Sequence, residues 1–192
     1  MRSFIIPFII ASCIILMGCG SKTDINSNST ETMSENVLHM QIAGYENGDR
    51  MPAQFATKNG GGENVSIGVK WQTLPTAQSY ALLFDDKYPM ANNWVHWLVV
   101  DISNTVTEIP EGGSRVNMPL GARELVTSWG QTGYDGPQPP VGSGDHEYVA
   151  HLYALDVPKL NVDENISRAG FSKAIGGHVI AEETYSGWFE RK

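Results

Sequence analysis

Cysteine is almost missing from this 192-residue chain, and its placement matters more than its scarcity. Both cysteines, Cys13 and Cys19, fall in the first nineteen residues. The rest of the chain has no thiol and forms no internal disulfide. Positive charge is also short: Lys and Arg total 13 against 21 Asp and Glu, a formal net charge of -8. That balance excludes nucleic acid, whose phosphates need a basic face, and adhesion to anionic lipid by charge. Long apolar runs are lacking too. The longest, residues 4–17, is broken by Pro7, Ser12 and Cys13 and falls short of the ~20 residues of a helical span. No internal repeat and no heptad pattern is present.

What the chain does have begins with an address. Arg2 ahead of the apolar run is the secretory pattern, removed on maturation. Leu16-Met17-Gly18-Cys19 resembles the bacterial lipoprotein signal, in which the Cys is acylated and becomes the new first residue. An isolated cysteine in an oxidising compartment is a liability unless modified, which favours this reading over a coincidental Cys19. Residues 1–18 are therefore expected to be a signal peptide, and residues 19–36, rich in Ser, Thr, Asn and Glu, a flexible tether. The expected location is the bacterial cell envelope, held to the membrane through Cys19. Residues 37–192 suit one domain, large enough to bury roughly 68–70% of its unfolded surface without metal or disulfide.

The domain reads as strands. Val65, Ile67, Val69 and Trp71 alternate with Ser66, Gly68, Lys70 and Gln72, a strand with one wet face. Residues 80–84 are continuously apolar, which fits a strand buried on both faces. Residues 94–102 form a third, with Trp94, His96, Leu98 and Val100 on one face and Val95, Trp97 and Val99 on the other. Residues 147–155 form a fourth, 38–43 a weaker opening strand, and 179–185 a closing one. Ser167 caps one helix through residue 175, ended by Gly176-Gly177. Many strands and one late helix predict a mainly β fold, a sandwich with a helical appendage.

Two loops are not regular. Residues 85–93 link two apolar strands, and residues 130–144 carry five glycines beside Pro137, Pro139 and Pro140. The second is long for a compact domain, and such loops are functional or disordered; its prolines lower its entropy and it leads into a strong strand, which favours function. Asp85, His96, His146 and Tyr148 sit where the loops meet strands. The i, i+2 spacing points His146 and Tyr148 to the same face, so the four could line a polar pocket.

The segments D-D-K-Y-P (85–89), W-V-H-W-L-V-V (94–100) and G-Y-D-G-P-Q-P-P-V-G-S-G-D-H-E-Y (133–148) resemble the phosphatidylethanolamine-binding protein family. So do 62–66, 151–156 and the tail around 173–179, in the right order across nearly the whole domain. The resemblance implies an antiparallel β-sandwich with a C-terminal helix that binds phosphate-like or carboxylate anions, or phospholipid head groups. It places Asp85 on the first Asp of the family's D-P-D-A-P motif and His96 on its H-W segment. Gly136, Pro139 and Pro140 fall on the G-x-x-P-P loop, and His146 and Tyr148 on the H-R-Y motif. Asp86 and Lys87 replace a Pro and a second Asp, and Glu147 replaces an Arg, so head-group preference does not carry over.

The expected function is thus a lipid-anchored protein that binds a small anion or zwitterion, with no cofactor or metal and no turnover. In this reading Asp85 orients a His or meets a ligand ammonium, and anion affinity rises as the histidines charge toward pH 5. Trp94 could line the pocket. Asp85, His96 and His146 also make up a two-His-one-carboxylate set, but no H-x-H spacing supports a metal. Ser128 and Ser143 lie near the loop, yet neither sits in a G-x-S-x-G elbow and no nucleophile stands beside a His. The rival reading is a protein-interaction module that inhibits a protease or kinase through its surface.

Overall fold

The computed structural model describes residues 36–192. The signal peptide expected over 1–18, Cys19 and nearly all of the tether lie outside them. In chain order the strands are β1 (Gln41–Ile42), β2 (Val69–Lys70), β3 (Ser79–Asp86), β4 (Trp94–Ser103), β5 (Glu108–Ile109), β6 (Arg123–Glu124), β7 (His146–Leu155) and β8 (Val179–Phe189). One α-helix among the described residues, α1 (Arg168–Ile175), precedes β8. Five strands form a sheet in the order β6-β4-β3-β7-β8, and β1-β2-β5 form a smaller one. Every pairing within the two sheets is antiparallel.

Side-chain alternation in β3 explains the layering. Tyr80, Leu82 and Phe84 point one way, into a core with Trp97 and Val99 of β4, Ala150 and Leu152 of β7, and Ile42, Val69 and Ile109 of the small sheet. Ala81 and Leu83 point the other way, against Leu98, Val100 and Leu155 and against Phe171 and Ile175 of α1. The strand is buried on both faces, as its unbroken apolar run predicts. The mainly β sandwich with a late helix is therefore the observed fold.

The helix forms for local reasons as well as tertiary ones. The Ser167 hydroxyl accepts the Gly170 N–H at 3.0 Å, satisfying one of the donors that a helix start leaves free. Phe171 and Ile175, one turn apart, bury against the sheet, each worth roughly 2–3 kcal/mol. The chain stops at Gly176 and reverses through Gly177 at φ +88°, and β8 then runs on to Phe189, beyond its expected end.

Two departures from strict alternation shape the site. Phe84 pairs with Trp97, but Asp85 pairs with Val95, so His96 is the extra residue of a β-bulge. Leu98 and Val100 accordingly share the helix side with Val95, whereas simple alternation grouped them with Trp94 and His96. His96 is re-aimed toward Phe84 and Tyr148, with ring centroids 6.0 and 5.2 Å away. The second shift lies between Tyr80 and Leu82, opposite Asp101, whose φ of +59° marks the irregular position. The strand expected over 65–72 is a regular ladder only at Val69–Lys70. Its supposedly wet Ser66 and Gly68 are buried, because the segment around Glu111 lies against them: a Cβ on Gly68 would stand 2.8 Å from the Glu111 nitrogen.

Candidate functional site

The ends of three neighbouring strands build the site. Asp86, last in β3, is paired with Trp94 at the start of β4 on one side and with Tyr148 near the start of β7 on the other. The 130–144 loop covers this end of the sheet. Beneath it lies an open cavity of about 630 Å³, walled by Tyr88, Met90, Ala91, Trp94, Trp129, Pro139 and Pro140, with Asp86, His96, Gln138, Ser143, His146 and Tyr148 as its polar members. Among the described residues no Lys or Arg lines it.

A chain of hydrogen bonds runs across the floor. Asp86 accepts the Tyr88 backbone N–H at 2.8 Å through Oδ1, and its Oδ2 lies 2.7 Å from His146 Nδ1. A carboxylate only accepts, so Nδ1 carries a proton, and the tautomer this selects leaves Nε2 as the acceptor. The Ser143 hydroxyl stands 2.9 Å from that Nε2. The imidazole is held by more than these bonds: Tyr88 stacks on it at 3.9 Å and 11°, and the ring is nearly buried. Ser143 itself sits between Gly142 at φ +80° and Gly144 at φ +81°. A Cβ at either glycine would meet nothing, so glycine is there for the left-handed turn and not for space.

His96 is anchored differently. Its Nδ1 lies 2.6 Å from the Asp135 carbonyl, and a carbonyl only accepts, so Nδ1 donates. Burial is the foremost influence on this ring and holds its pKa below the ordinary histidine value, outweighing the Asp135 carbonyl and the charge of Asp86. His96 is therefore held neutral at physiological pH and charges less readily in acid than an ordinary histidine. This imidazole thus contributes less than an ordinary one to the expected rise of anion affinity in acid. Tyr148 is fully buried, and its hydroxyl has no well-formed hydrogen bond, although it lies beside Asp86 and the Gln138 backbone. Burial first, and then the Asp86 charge, pushes its pKa far above the ordinary value of 10, so it stays a neutral donor.

Of the residues singled out from the sequence, His96, Pro139, Pro140, His146 and Tyr148 come together at the cavity, and Trp94 joins them. Asp85 does not. Alternation turns it to the opposite face of the sheet, where it is fully buried beside Lys87 Nζ at 2.7 Å, Arg168 Nε at 3.4 Å and His151 Nε2 at 3.4 Å. The pocket carboxylate is Asp86, and the histidine that Asp85 meets is His151. This separation also removes Asp85 from any shared metal set with His96 and His146. Lys87, the basic residue next to Asp86, is occupied by Asp85. Gly136 does not line the cavity: a Cβ there would stand 1.8 Å from the Phe55 carbonyl, so the loop needs glycine to pass under that segment. The expectation that no nucleophile stands beside a histidine is overturned by Ser143. Asp86 was legible, since it shares the parity of Tyr80, Leu82 and Phe84. Trp129, Gln138, Tyr88 and Met90 reach the cavity through loop geometry that carries no periodic signal.

Comparison with known proteins gives the site a context. The family model described as "Phosphatidylethanolamine-binding protein" matches residues 41–190. The UPF0098 protein YbhB of Escherichia coli K12 is 31% identical over 148 residues, covering 74% of this chain and 93% of that protein. "Putative lipoprotein LppC" of Mycobacterium tuberculosis H37Rv is 35% identical over 148 residues, covering 76% of this chain and 69% of its own. Among solved structures, Escherichia coli YbcL superposes with a TM-score of 0.74 at 27% identity, over 81% of this chain and 99% of that one; it is described as a new member of the mammalian PEBP family.

Proposed function

This chain belongs to the phosphatidylethanolamine-binding protein family, and we propose that its cavity binds a small zwitterionic or anionic ligand carrying an apolar portion. One observation carries the reading: a single carboxylate, Asp86, faces a largely apolar and aromatic cavity that no Lys or Arg lines among the described residues. A purely anionic ligand would meet Asp86 with no full cation to offset it. A zwitterion suits the site better. Its ammonium lies against Asp86 and the faces of Tyr88 and Trp94, where carboxylate and π-electrons both favour a cation. Its phosphate or carboxylate takes the Tyr148 hydroxyl, the buried donor without a partner. An apolar portion packs on Met90, Pro139 and Pro140, as in the mostly apolar walls of ligand pockets generally.

The residues 16–19 pattern and the lipoprotein relative support a second part of the proposal, that the protein is anchored at the cell envelope by acylated Cys19. Mass spectrometry of the mature N-terminus tests this, and an unmodified Cys19 would sink it.

The binding reading is tested by titrating the full chain in detergent with phosphorylethanolamine, phosphate and acetate while following histidine and backbone NMR shifts. Shifts confined to His96, His146, Tyr148 and the 130–144 loop are expected, with phosphorylethanolamine binding most tightly. A folded spectrum that responds to none of the three would refute the pocket and leave the protein-interaction reading in its place.

A further inference from the structure

We infer that the pocket does more than hold its ligand: Ser143, His146 and Asp86 form a nucleophile–base–orienter relay that acylates Ser143 with esters bearing an apolar acyl or aryl group. The inference rests on the same cavity being open to a ligand, but on different residues for its chemistry.

The geometry meets each requirement of such a relay. Ser143 Oγ is 2.9 Å from His146 Nε2, and His146 Nδ1 is 2.7 Å from Asp86 Oδ2. The carboxylate fixes the tautomer that leaves Nε2 free to take the serine proton, which is the role the third group plays in any such triad. Asp86 is itself tied by the Tyr88 N–H, and the Tyr88 ring stacks on His146, so base and orienter are both rigid. The loop end next to His146 is pinned as well, since Asp145 takes both arms of the Arg50 guanidinium, one of them at 2.8 Å. Ser143 is half-buried at the cavity wall, between two glycines in left-handed backbone. Its hydroxyl has one proton and faces two acceptors, Nε2 and the Pro140 carbonyl at 2.8 Å. A substrate entering the cavity needs only the first.

The reaction balances without any group the chain lacks. Ser143 Oγ attacks the ester carbonyl carbon while its proton passes to His146 Nε2. Charge develops on the carbonyl oxygen, and the unpartnered Tyr148 hydroxyl in the same cavity is the donor available to it. The carbon–oxygen bond to the leaving alcohol then breaks, and that oxygen takes the proton back from Nε2. Water then attacks the acyl carbon as its proton passes to His146 Nε2; the bond from that carbon to Ser143 Oγ breaks, Oγ takes the proton back from Nε2, and the carboxylic acid leaves. Met90, Ala91, Trp94, Pro139 and Pro140 surround the acyl or aryl group, which is why the substrate class is apolar.

The test uses the full chain in detergent with two probes, an alkyl fluorophosphonate and p-nitrophenyl butyrate. With the first, a serine–phosphorus bond forms as phosphorus–fluorine breaks, and peptide mass spectrometry is expected to find the adduct on Ser143. With the second, a burst of about one p-nitrophenolate per protein is expected ahead of slower turnover. Ser143→Ala abolishes both signals. Asp86→Asn, with the serine still present, slows labelling by at least ~100-fold, because the imidazole loses its tautomer; a serine that only closes the loop would not respond to that change. Wild-type protein that stays unlabelled at Ser143, or Ser143→Ala protein that releases nitrophenolate at the wild-type rate, overturns the inference. Phosphorylethanolamine titration of the same samples separates the two proposals. Ligand shifts without labelling remove the relay and leave the binding pocket, whereas labelling without ligand shifts does the reverse.

Discussion

Asp85 and Asp86 are neighbours in the chain and almost equally buried, yet they belong to different parts of the molecule. One faces α1 and the other faces the cavity, because β3 turns successive side chains to opposite sides. Burial therefore does not distinguish them; their partners do. Asp85 has Lys87 and Arg168 in its own chain, full cations that cancel its charge, with His151 beside it. Burial alone would raise its pKa, but the nearby His151 ring and Lys87 together hold it below the ordinary carboxylate value. Asp86 accepts only from an imidazole N–H and a backbone N–H, and it keeps an open cavity in front of it. A buried carboxylate saturated by internal cations ties elements together. One left with neutral donors retains the capacity to act on something that enters.

Exchanging the two roles by mutation is the strongest way to break that comparison. Asp85→Ala leaves Lys87 and Arg168 beside an empty, buried position and cuts the link between β3 and α1. A loss of about 3 kcal/mol in denaturant unfolding is expected, at the low end for a broken buried pair because both cations are partly exposed. Ligand shifts in the pocket should survive wherever the protein is folded. Asp86→Asn is the mirror image. It keeps the shape and costs about 2 kcal/mol, the value of hydrogen bonds to a charged group, while affinity for phosphorylethanolamine falls at least ~10-fold. If Asp85→Ala removed binding at little cost in stability, the division of labour between the two faces would be wrong.

The same alternation governs how much of the molecule was legible from its sequence. Period-two and continuous apolar runs located β3, β4 and β7, and a serine cap with a closing glycine pair located α1. These are local signals, and local physics places those elements. The bulge at His96 is not local: it exists only because Asp85 pairs with Val95 after Phe84 has paired with Trp97, a matter of register between strands. That one extra residue moved His96 off the face that its spacing assigned. Family resemblance named Asp85 as the pocket carboxylate, whereas parity with Phe84 favours Asp86, and the structure follows parity. Ser143 was visible as a serine three residues before a histidine in a Gly-rich loop. Its pairing with Nε2 depended on a turn through Gly142 and Gly144 that no periodicity encodes.

Acid sharpens the comparison in a separate way, with the smallest expected effect. His96, on the cavity side, has a folded pKa lowered by burial, so the unfolded chain binds this proton more readily than the folded one. Stability from this residue is complete above its unfolded pKa of about 6.5 and is lost as pH falls from there toward the lower folded value. Asp85, on the helix side, has a folded pKa lowered by its partners. Its contribution is present above its unfolded pKa of about 3.9 and is lost only as pH falls through the folded value, so it is silent between pH 6.5 and 5.5. In that window His96 can cost no more than ~1.4 kcal/mol, the limit for one proton over one pH unit. Urea unfolding of wild-type and His96→Gln protein at the two pH values measures the difference. A glutamine amide can still donate to the Asp135 carbonyl, so the variant should fold and show the shallower decline. Identical slopes would mean that His96 charges as easily in the folded protein as in the unfolded chain, and that the bulge has left it open to water.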